Sequence, residues 1–91
     1  MGKQRKMGNG ELRVIGLEPA FGAVLRSYRL AKNFTQEELA LETGLDRGYL
    51  SRLERGMQCP TLTTVYILAH ILEVPAVQFL KDIEASVKVE R

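Results

Sequence analysis

Residues 35–56 read TQEELALETGLDRGYLSRLERG, and this stretch encodes two consecutive short helices. Thr35 followed three residues later by Glu38 is a capping box, in which each side chain bonds the backbone N–H of the other residue at the start of a helix. Gly44 follows the last apolar positions, where a helix C-terminus favours a left-handed residue without a Cβ atom. The pattern predicts a short helix over residues 35–43.

The second half of the stretch predicts another short helix with one strongly polar side. Asp46 is a good N-cap and Gly56 is a natural stop, so this helix covers about residues 46–55. Only Leu50 and Leu53 need to face inward. The outward or marginal side chains are mostly cationic or small and polar: Arg47, Gly48, Tyr49, Ser51, Arg52 and Arg55. Two short helices joined by a glycine-containing turn, with arginines on the second, are typical of the helix-turn-helix layout that enters the major groove of DNA.

Three more helices are predicted around this pair. Pro19 at a first-turn position is followed by apolar residues at helical spacing, which predicts a helix over about residues 19–32. Thr61 can cap a fourth helix, and a fifth starts near Pro75, again with apolar residues at helical spacing. The expected fold class is therefore all-α, with five helices in a single domain over residues 18–84.

The two ends of the chain are expected to lie outside this domain. Residues 1–17 mix four glycines with basic residues, which predicts a flexible basic N-terminal arm. This arm has two interpretations, a solubilising tail or an arm that reaches the minor groove. Residues 85–91 are predicted to form a charged C-terminal tail, and we find no β-hairpin signal in the sequence.

Composition and charge narrow the possible classes of protein. With 91 residues, 45% hydrophobic and 26% charged, the chain fits one small globular domain. No run approaches the ~18 apolar residues that span a bilayer, and the basic start lacks the apolar run of a signal peptide, so we expect a cytoplasmic location. The net charge is only +2, but residues 1–58 hold ten Lys/Arg against seven Asp/Glu. An anionic partner is therefore expected to meet the first two thirds of the chain.

Neither catalysis nor metal binding is expected. Cys59 is the one cysteine of the chain and His70 the one histidine. They lack the companions at ligand spacing that a structural zinc site needs, and the third partner that nucleophilic catalysis needs. We interpret His70 as a packing or boundary residue and Cys59 as a small, half-buried hydrophobe. The sequence thus predicts a protein that is not an enzyme and needs no cofactor.

The fourth predicted helix is apolar on nearly all sides. Ile67 and Ile71 lie almost opposite the apolar residues that share its other face, Val65, Leu68, Ala69 and Leu72. A helix with this pattern has to be covered on more than one side. Because surface left bare can be buried against a second copy, we predict a homodimer with Ile67 and Ile71 in its interface.

The segment from Thr35 to Val74, TQEELALETGLDRGYLSRLERGMQCPTLTTVYILAHILEV, resembles the Cro and lambda-repressor-like (XRE-type) helix-turn-helix family. It is similar in particular to the small controller proteins of restriction-modification systems. The resemblance runs from about Phe21 to Leu80 and depends on the combination of T-Q-E-E-L-A, G-L, L-S-R-L-E-R-G and P-T-L. It implies a lambda-repressor-like domain of five helices that binds double-stranded DNA.

The resemblance also implies roles for individual residues. Gln36 would hold a phosphate, although a polar first-turn residue is the alternative interpretation. Arg29 on the first helix would form a structural ion pair with Glu54. The implied DNA contacts are to bases from Arg47, Gly48, Ser51 and Arg52, and to the backbone from Tyr49, Arg55 and Gln58, beside Met57. Tyr49 has an alternative interpretation, which is packing against the second helix.

Two positions depart from the pattern of the family. Gly48 stands where relatives usually carry a side chain, which leaves one base-facing position empty and costs ~0.5 to 1 kcal/mol of helix stability relative to alanine. Glu73 stands where a glycine often ends the fourth helix. We therefore expect the turn after that helix to be strained or differently shaped.

Two functions from different classes fit these features. The first is a sequence-specific transcriptional regulator that binds double-stranded DNA as a homodimer, with residues 46–55 of each copy in the major groove. The second is an antitoxin or adaptor whose main role is to bind a protein partner. Discrimination between DNA sequences that depends on Arg47 and Arg52 would favour the first, and copurification of a stoichiometric partner would favour the second.

Overall fold

The computed structural model describes residues 11–91, and helices dominate this part of the chain. Five helices form within it at the places that the sequence predicts. Their bounds are α1 (Leu17–Ala31), α2 (Gln36–Thr43), α3 (Arg47–Glu54), α4 (Leu62–Leu72) and α5 (Ala76–Ile83), and a 3-10 turn follows at Glu84–Ser86. The expected all-α fold class is confirmed, with a small two-stranded sheet added to it.

Local capping fixes where α2 and α3 begin. The Thr35 hydroxyl accepts a hydrogen bond from the Glu38 N–H at 3.0 Å, and the Glu38 carboxylate accepts one from the Thr35 N–H at 2.9 Å. The Asp46 carboxylate accepts a hydrogen bond from the Tyr49 N–H at 3.0 Å. Gly44 has a φ of 78°, the left-handed conformation that ends α2. The turn between the two helices is therefore set by residues within or next to it.

The core lies where α1, α4 and α5 meet the two short helices. Phe79 of α5 is fully buried and stacks on Phe21 of α1 with ring centroids 5.4 Å apart, and Tyr28 meets the same ring edge-on at 5.1 Å. Fully buried leucines complete this core: Leu25, Leu39, Leu50, Leu53, Leu68 and Leu72. Because every helix contributes at least one fully buried side chain, packing anchors α2 and α3 to the rest of the domain.

α1 and α3 approach each other closely at Gly22. A Cβ atom at this position would overlap the backbone carbonyl oxygens of Leu53 and Glu54 at the end of α3. Glycine alone leaves room for this backbone contact. The C-terminal end of α3 is thereby held directly against the backbone of α1.

The segments that flank the helices form a two-stranded antiparallel sheet, which we call the terminal ribbon. It pairs β1 (Arg13–Ile15) with β2 (Lys88–Glu90), and Val14 lies opposite Val89. Gly16, with a φ of 88°, turns the chain from β1 into α1. The ribbon therefore connects the beginning and the end of the described chain.

The sequence contains no signal that predicts this ribbon. The predictions of a flexible arm over residues 1–17 and of a charged tail over residues 85–91 are wrong where the two strands form. Each strand has only three residues, which is too short for the alternation that marks a strand, and no hairpin turn joins them. The remainder of the predicted arm, residues 1–10, lies outside the described residues.

The end of α4 has the unusual geometry that the sequence suggests at Glu73. This residue has a φ of 60° and a ψ of 42°, the left-handed conformation that disfavours a side chain. Its carboxylate forms an ion pair with Lys32, and their hydrogen bond lowers the pKa of Glu73 below the ordinary value. A glycine here would relieve the backbone but would lose the ion pair.

The loop before α4 contains Cys59. Cys59 is exposed in this loop, so the prediction that it is half-buried is wrong.

Within residues 11–91, no single helix has both the length and the apolar composition needed to cross a membrane. The two segments Leu62–Leu72 and Ala76–Ser86 meet these criteria only as a pair, and the chain bends by 107° between them.

Candidate nucleic-acid interface

α3 turns one side to the core and the other to solvent. Leu50 and Leu53 are fully buried, and they hold the helix against the rest of the domain. The residues implied to face bases comprise two exposed arginines and two half-buried small residues: Arg47 and Arg52, and Gly48 and Ser51. Two cations are therefore exposed on a helix that packing keeps in place, which is an arrangement suited to a polyanion.

Arg52 does not project freely, because it is held by Gln58 from the loop after α3. The Arg52 Nε–H donates a hydrogen bond to the Gln58 side-chain oxygen at 2.5 Å. This bond uses one edge of the guanidinium and leaves the Nη groups to reach another acceptor. The sequence predicts a DNA-backbone contact for Gln58, whereas the structure places its side chain on Arg52.

The Asp46 carboxylate and the Arg52 guanidinium both lie close to Gly48. A Cβ atom at this position would lie 3.0 Å from the Asp46 carboxylate and 3.5 Å from the Arg52 Nη1 atom. The Arg52 side chain therefore lies back along α3 over the place that Gly48 leaves empty. Gly48, where the resemblance implies a side chain, is therefore a neighbour of an arginine implied to read bases.

A buried ion pair ties α1 to the end of α3. The Arg29 guanidinium donates to the Glu54 carboxylate from Nε at 2.6 Å and from Nη2 at 2.9 Å, and its Nη1 donates to the Phe34 carbonyl at 2.9 Å. The hydrogen bond with Glu54 raises the pKa of Arg29 above its ordinary value. The structure thus brings together the pair that the resemblance implies, and adds a carbonyl partner that the sequence does not reveal.

Gln36, at the start of α2, belongs to the same network. Its amide nitrogen donates to the Glu54 carboxylate at 3.1 Å. The amide group has a second hydrogen, so the contact with Glu54 orients Gln36 without using up its donors. Gln36 and Arg47 line one shallow surface groove, which Glu37 also lines. The structure therefore places the residue predicted to hold a phosphate beside one predicted to face bases, with a carboxylate nearby.

Tyr49 is part of the helix packing rather than of the exposed surface. Its ring packs against the core, and its hydroxyl donates to the Thr64 hydroxyl on α4 at 3.3 Å. The alternatives from the sequence were a phosphate contact and packing against α2, and neither includes Thr64. Because Thr64 lies on another helix, no local pattern in the sequence could have found this partner.

The remaining residue implied at the DNA backbone is more accessible. Arg55 is exposed, and its Nε–H donates weakly to the Ser51 carbonyl at 3.4 Å. Met57, which follows it in the loop, is exposed as well. The end of α3 and the loop after it therefore present an exposed cation and an exposed apolar side chain close to Arg52.

The largest exposed apolar side chains of α4 and α5 differ from those predicted for the dimer interface. Ile67 and Ile71 are half-buried, and Ile71 packs against the core. Their helix packs against both α2 and α5, which covers part of the face that the sequence pattern leaves bare. The more exposed residues form what we call the apolar α4–α5 face: Leu62 and Tyr66 on α4, which are 70% and 65% exposed, with Val77 and Leu80 on α5.

The helix-turn-helix family model matches residues 25–79, which is more than half of the chain. The matched segment begins within α1 and ends within α5, so it includes the whole of α2, α3 and α4. The family match therefore covers every residue implied to contact DNA.

The chain is similar to known regulators in sequence. It is 35% identical over 69 residues to the HTH-type transcriptional regulator SlrR of Bacillus subtilis (strain 168). The match covers 76% of this chain but only 36% of SlrR, so the chain spans about a third of that relative's length.

Two solved structures of controller proteins share the fold. The restriction-modification controller protein C.AhdI from Aeromonas hydrophila is 38% identical, with a TM-score of 0.65 over 67% of this chain and 92% of that chain. The controller protein C.Esp1396I, solved as a tetramer in complex with its natural 35-base-pair operator, is 33% identical, with a TM-score of 0.68 over 77% of this chain and 92% of that chain. Together with the family match, these similarities show that the chain belongs to the helix-turn-helix family, in its Cro and lambda-repressor-like, XRE-type branch.

Proposed function

We propose that this protein is a sequence-specific transcriptional regulator that binds double-stranded DNA as a homodimer. The observation that carries the proposal is the exposure of Arg47 and Arg52 on α3, whose opposite side is fully buried. An α-helix with its side chains is about 10 to 12 Å across, which fits the ~12 Å width of the major groove. α3 therefore has the size and charge of a recognition helix.

In this proposal the exposed side chains make two kinds of contact with DNA. Arg47, Arg52 and Ser51 read base edges, since arginine can donate two hydrogen bonds to a guanine. Gln36 and Arg55 hold phosphates on either side of the groove. Phosphate contacts position the protein without reading sequence, whereas base contacts provide the discrimination.

The proposed homodimer places two copies of α3 in successive major grooves. Such dimers read half-sites ~34 Å apart, one turn of the duplex. The apolar α4–α5 face supplies the contact between copies, because its large side chains are exposed to water in the single chain. The operator complex of the tetrameric controller C.Esp1396I supports a multimeric mode of binding for this chain.

The proposal assigns no catalytic role to any residue, Cys59 and His70 included. Among the described residues, no cluster of His, Cys, Asp and Glu could hold a metal ion. Since the proposed partner is the DNA of the cell, we propose that the protein acts in the cytoplasm.

Selection from a random pool of duplexes tests the proposal. The selected duplex and a scrambled version of it are then compared by fluorescence anisotropy at several salt concentrations. We expect Arg47→Ala and Arg52→Ala each to lose ~1 to 3 kcal/mol of discrimination between the two duplexes. Lys81→Ala on α5 is the control, because it removes one exposed cation away from α3.

Two results would contradict the proposal. The first is the absence of any enriched sequence in the selected pool. The second is an equal loss of affinity for both duplexes in the Arg47 and Arg52 variants, because the arginines would then contact only the DNA backbone. A stoichiometric protein partner that copurifies, together with weak DNA binding, would instead favour the antitoxin or adaptor.

A further inference from the structure

The outer edge of β2 has no strand partner in the part of the chain that the structure describes. β1 alone pairs with it, and every residue of the two strands is exposed. Unpaired strand edges carry backbone donors and acceptors that pair readily with another strand. A two-stranded sheet of this length is also marginally stable, and further strands would stabilise it. The terminal ribbon is therefore suited to accept another strand.

The sequence of β2 is complementary to itself in the antiparallel direction. When two copies of this strand are related by a two-fold axis that passes between their Val89 residues, each Lys88 faces the Glu90 of the other copy. Both charge pairs are then attractive, and each contact occurs twice, as an isologous interface requires. The outer edge of β1 lacks this property, because the same operation would place Arg13 opposite Ile15.

The apolar side chains of the ribbon support the same arrangement. Val14 and Val89 are directly opposite each other and project from one face, where they are 53% and 61% exposed. A contact between two β2 strands would place four valines in one row across a four-stranded sheet. Each Val89 would then have an apolar neighbour on both sides, which removes apolar surface from water.

The ribbon is also continuous with the apolar α4–α5 face. Leu17, the first residue of α1 after the ribbon, and Ile83, the last residue of α5, line one apolar groove together with Leu62 and Leu80. This groove runs from the base of the ribbon to the α4–α5 face. A second copy that covers the α4–α5 face therefore lies next to the ribbon.

We propose that β2 of one copy pairs antiparallel with β2 of a second copy, with Val89 opposite Val89. The two terminal ribbons then form one four-stranded sheet at the dimer interface. The inference rests on the homodimer proposed above and identifies a surface that joins its two copies. It requires no contact with DNA, so it is tested with the protein alone.

Disulfide cross-linking tests the proposed register. In the full chain with Cys59→Ser, Val89→Cys places two thiols opposite each other with Cα atoms ~4.5 to 5.5 Å apart, a separation that a disulfide spans. Val14→Cys is the matched control, since it lies on the same face but its two copies are three strand spacings apart, about 14 Å. We expect a covalent dimer in high yield from V89C under mild oxidation and little from V14C.

The outcomes separate this inference from the homodimer. A chain that sediments as a dimer but gives no V89C cross-link, or equal yields from V89C and V14C, would overturn the β2 pairing and leave the homodimer standing. A dimer cross-linked through V14C alone would mean that the edge of β1 is used instead. A chain that stays monomeric at high concentration would overturn both the pairing and the homodimer.

Charge reversal provides a second, independent test. Lys88→Glu and Glu90→Lys each place like charges opposite each other in a β2–β2 contact, so each variant alone should dimerise roughly fivefold more weakly. In a mixture of the two variants, every facing charge in the mixed dimer is opposite again, and we expect recovery of the original affinity. Glu90→Lys also places a lysine beside Arg13 within its own ribbon. A loss of affinity caused by that contact would not be restored by mixing the two variants. Absence of recovery would contradict the proposed pairing.

Discussion

Among the described residues, Arg29 is the charged residue that is buried. Its exposed fraction is 7%, and its guanidinium is bonded to the Glu54 carboxylate and to the Phe34 carbonyl. A buried pair of this kind is weak evidence for net stability, because both charges are removed from water. Substituting only one residue of the pair is different, since the charge of the other residue stays buried without compensation.

We expect Arg29→Met to lower the free energy of unfolding by ~3 to 5 kcal/mol, because Glu54 is left uncompensated. Urea denaturation followed by circular dichroism measures this change. The double variant Arg29→Met with Glu54→Gln should recover a large part of the loss, since no buried charge remains. A loss below ~1 kcal/mol in the single variant would mean that water reaches the carboxylate.

Gln58 gives a prediction about recognition. The Gln58 side chain accepts a hydrogen bond from Arg52 and so orients this arginine. Gln58→Ala should therefore lower discrimination between the selected and scrambled duplexes. The effect should vanish when Arg52 is already alanine, which a double-mutant cycle measures. If Gln58 instead contacts the DNA backbone, the substitution would weaken binding to both duplexes equally and would add to the Arg52→Ala effect.

At the scale of elements, the unusual feature is the way α4 ends. Glu73 holds a left-handed conformation that costs ~1 to 2 kcal/mol for a residue with a side chain. Its ion pair with Lys32 is on the surface, and exposed pairs contribute little. The free-energy cost of the left-handed backbone at Glu73 is therefore larger than the stabilisation from its ion pair with Lys32.

We accordingly expect Glu73→Gly to raise the free energy of unfolding by about 1 kcal/mol, measured by thermal or urea denaturation. Glu73→Ala is the control, because it loses the ion pair and keeps the backbone strain. It should leave stability unchanged or slightly lower. A glycine variant no more stable than the alanine variant would show that the strain is relieved in some other way.

The contact between α1 and α5 predicts a dependence on pH. The Tyr28 hydroxyl donates to the Asp82 carboxylate, which raises the pKa of Tyr28 to about 12 and lowers the pKa of Asp82 below its ordinary value. A lowered carboxyl pKa stabilises the fold at neutral pH, and this stabilisation is lost as the pH falls through the folded pKa. A raised phenol pKa stabilises it below pH 10, and this is lost as the pH rises toward 12.

Tyr28→Phe keeps the ring on Phe79 and removes the hydroxyl. We expect this variant to be less stable than the parent chain at neutral pH, with a difference that shrinks in acid below 3.8, the ordinary value for the Asp82 carboxyl. Urea denaturation at a series of pH values measures the difference. A difference that stays constant between neutral pH and strong acid would rule out the hydrogen bond as its cause.

Sequence reasoning succeeded where an element is decided by its own residues. The Thr35 and Asp46 caps and the Gly44 stop act within a few positions of each other, so the bounds of α2 and α3 could be predicted. The Arg29–Glu54 contact could be expected only through the family resemblance. The Tyr49–Thr64 bond, the orientation of Gln58 and the terminal ribbon depend on which elements meet in space, and local patterns carry no such information. The placement of exposed apolar side chains on α4 and α5 depends on the same packing.

At the scale of the whole molecule, self-association is predicted to depend on the apolar α4–α5 face. Leu62→Lys places a charge on this face, and burial of a leucine from each copy is worth ~1.5 to 3 kcal/mol. We expect the dimer to dissociate at least ~10-fold more readily, as measured by sedimentation equilibrium. Leu41→Lys is the control, since Leu41 is 84% exposed on α2, outside the face. Equal effects of the two substitutions would argue against a dimer formed through this face.

The terminal ribbon has a consequence for assembly order. Its strands come from opposite ends of the described chain, with the five helices between them, so we expect them to pair only after these helices have packed around Phe79. Closing so long a loop is entropically unfavourable until native packing compensates for it, which makes the ribbon a late event in folding. Pairing through β2 would then be available only to chains that have finished folding. Nascent or damaged chains would then be excluded from the proposed dimer.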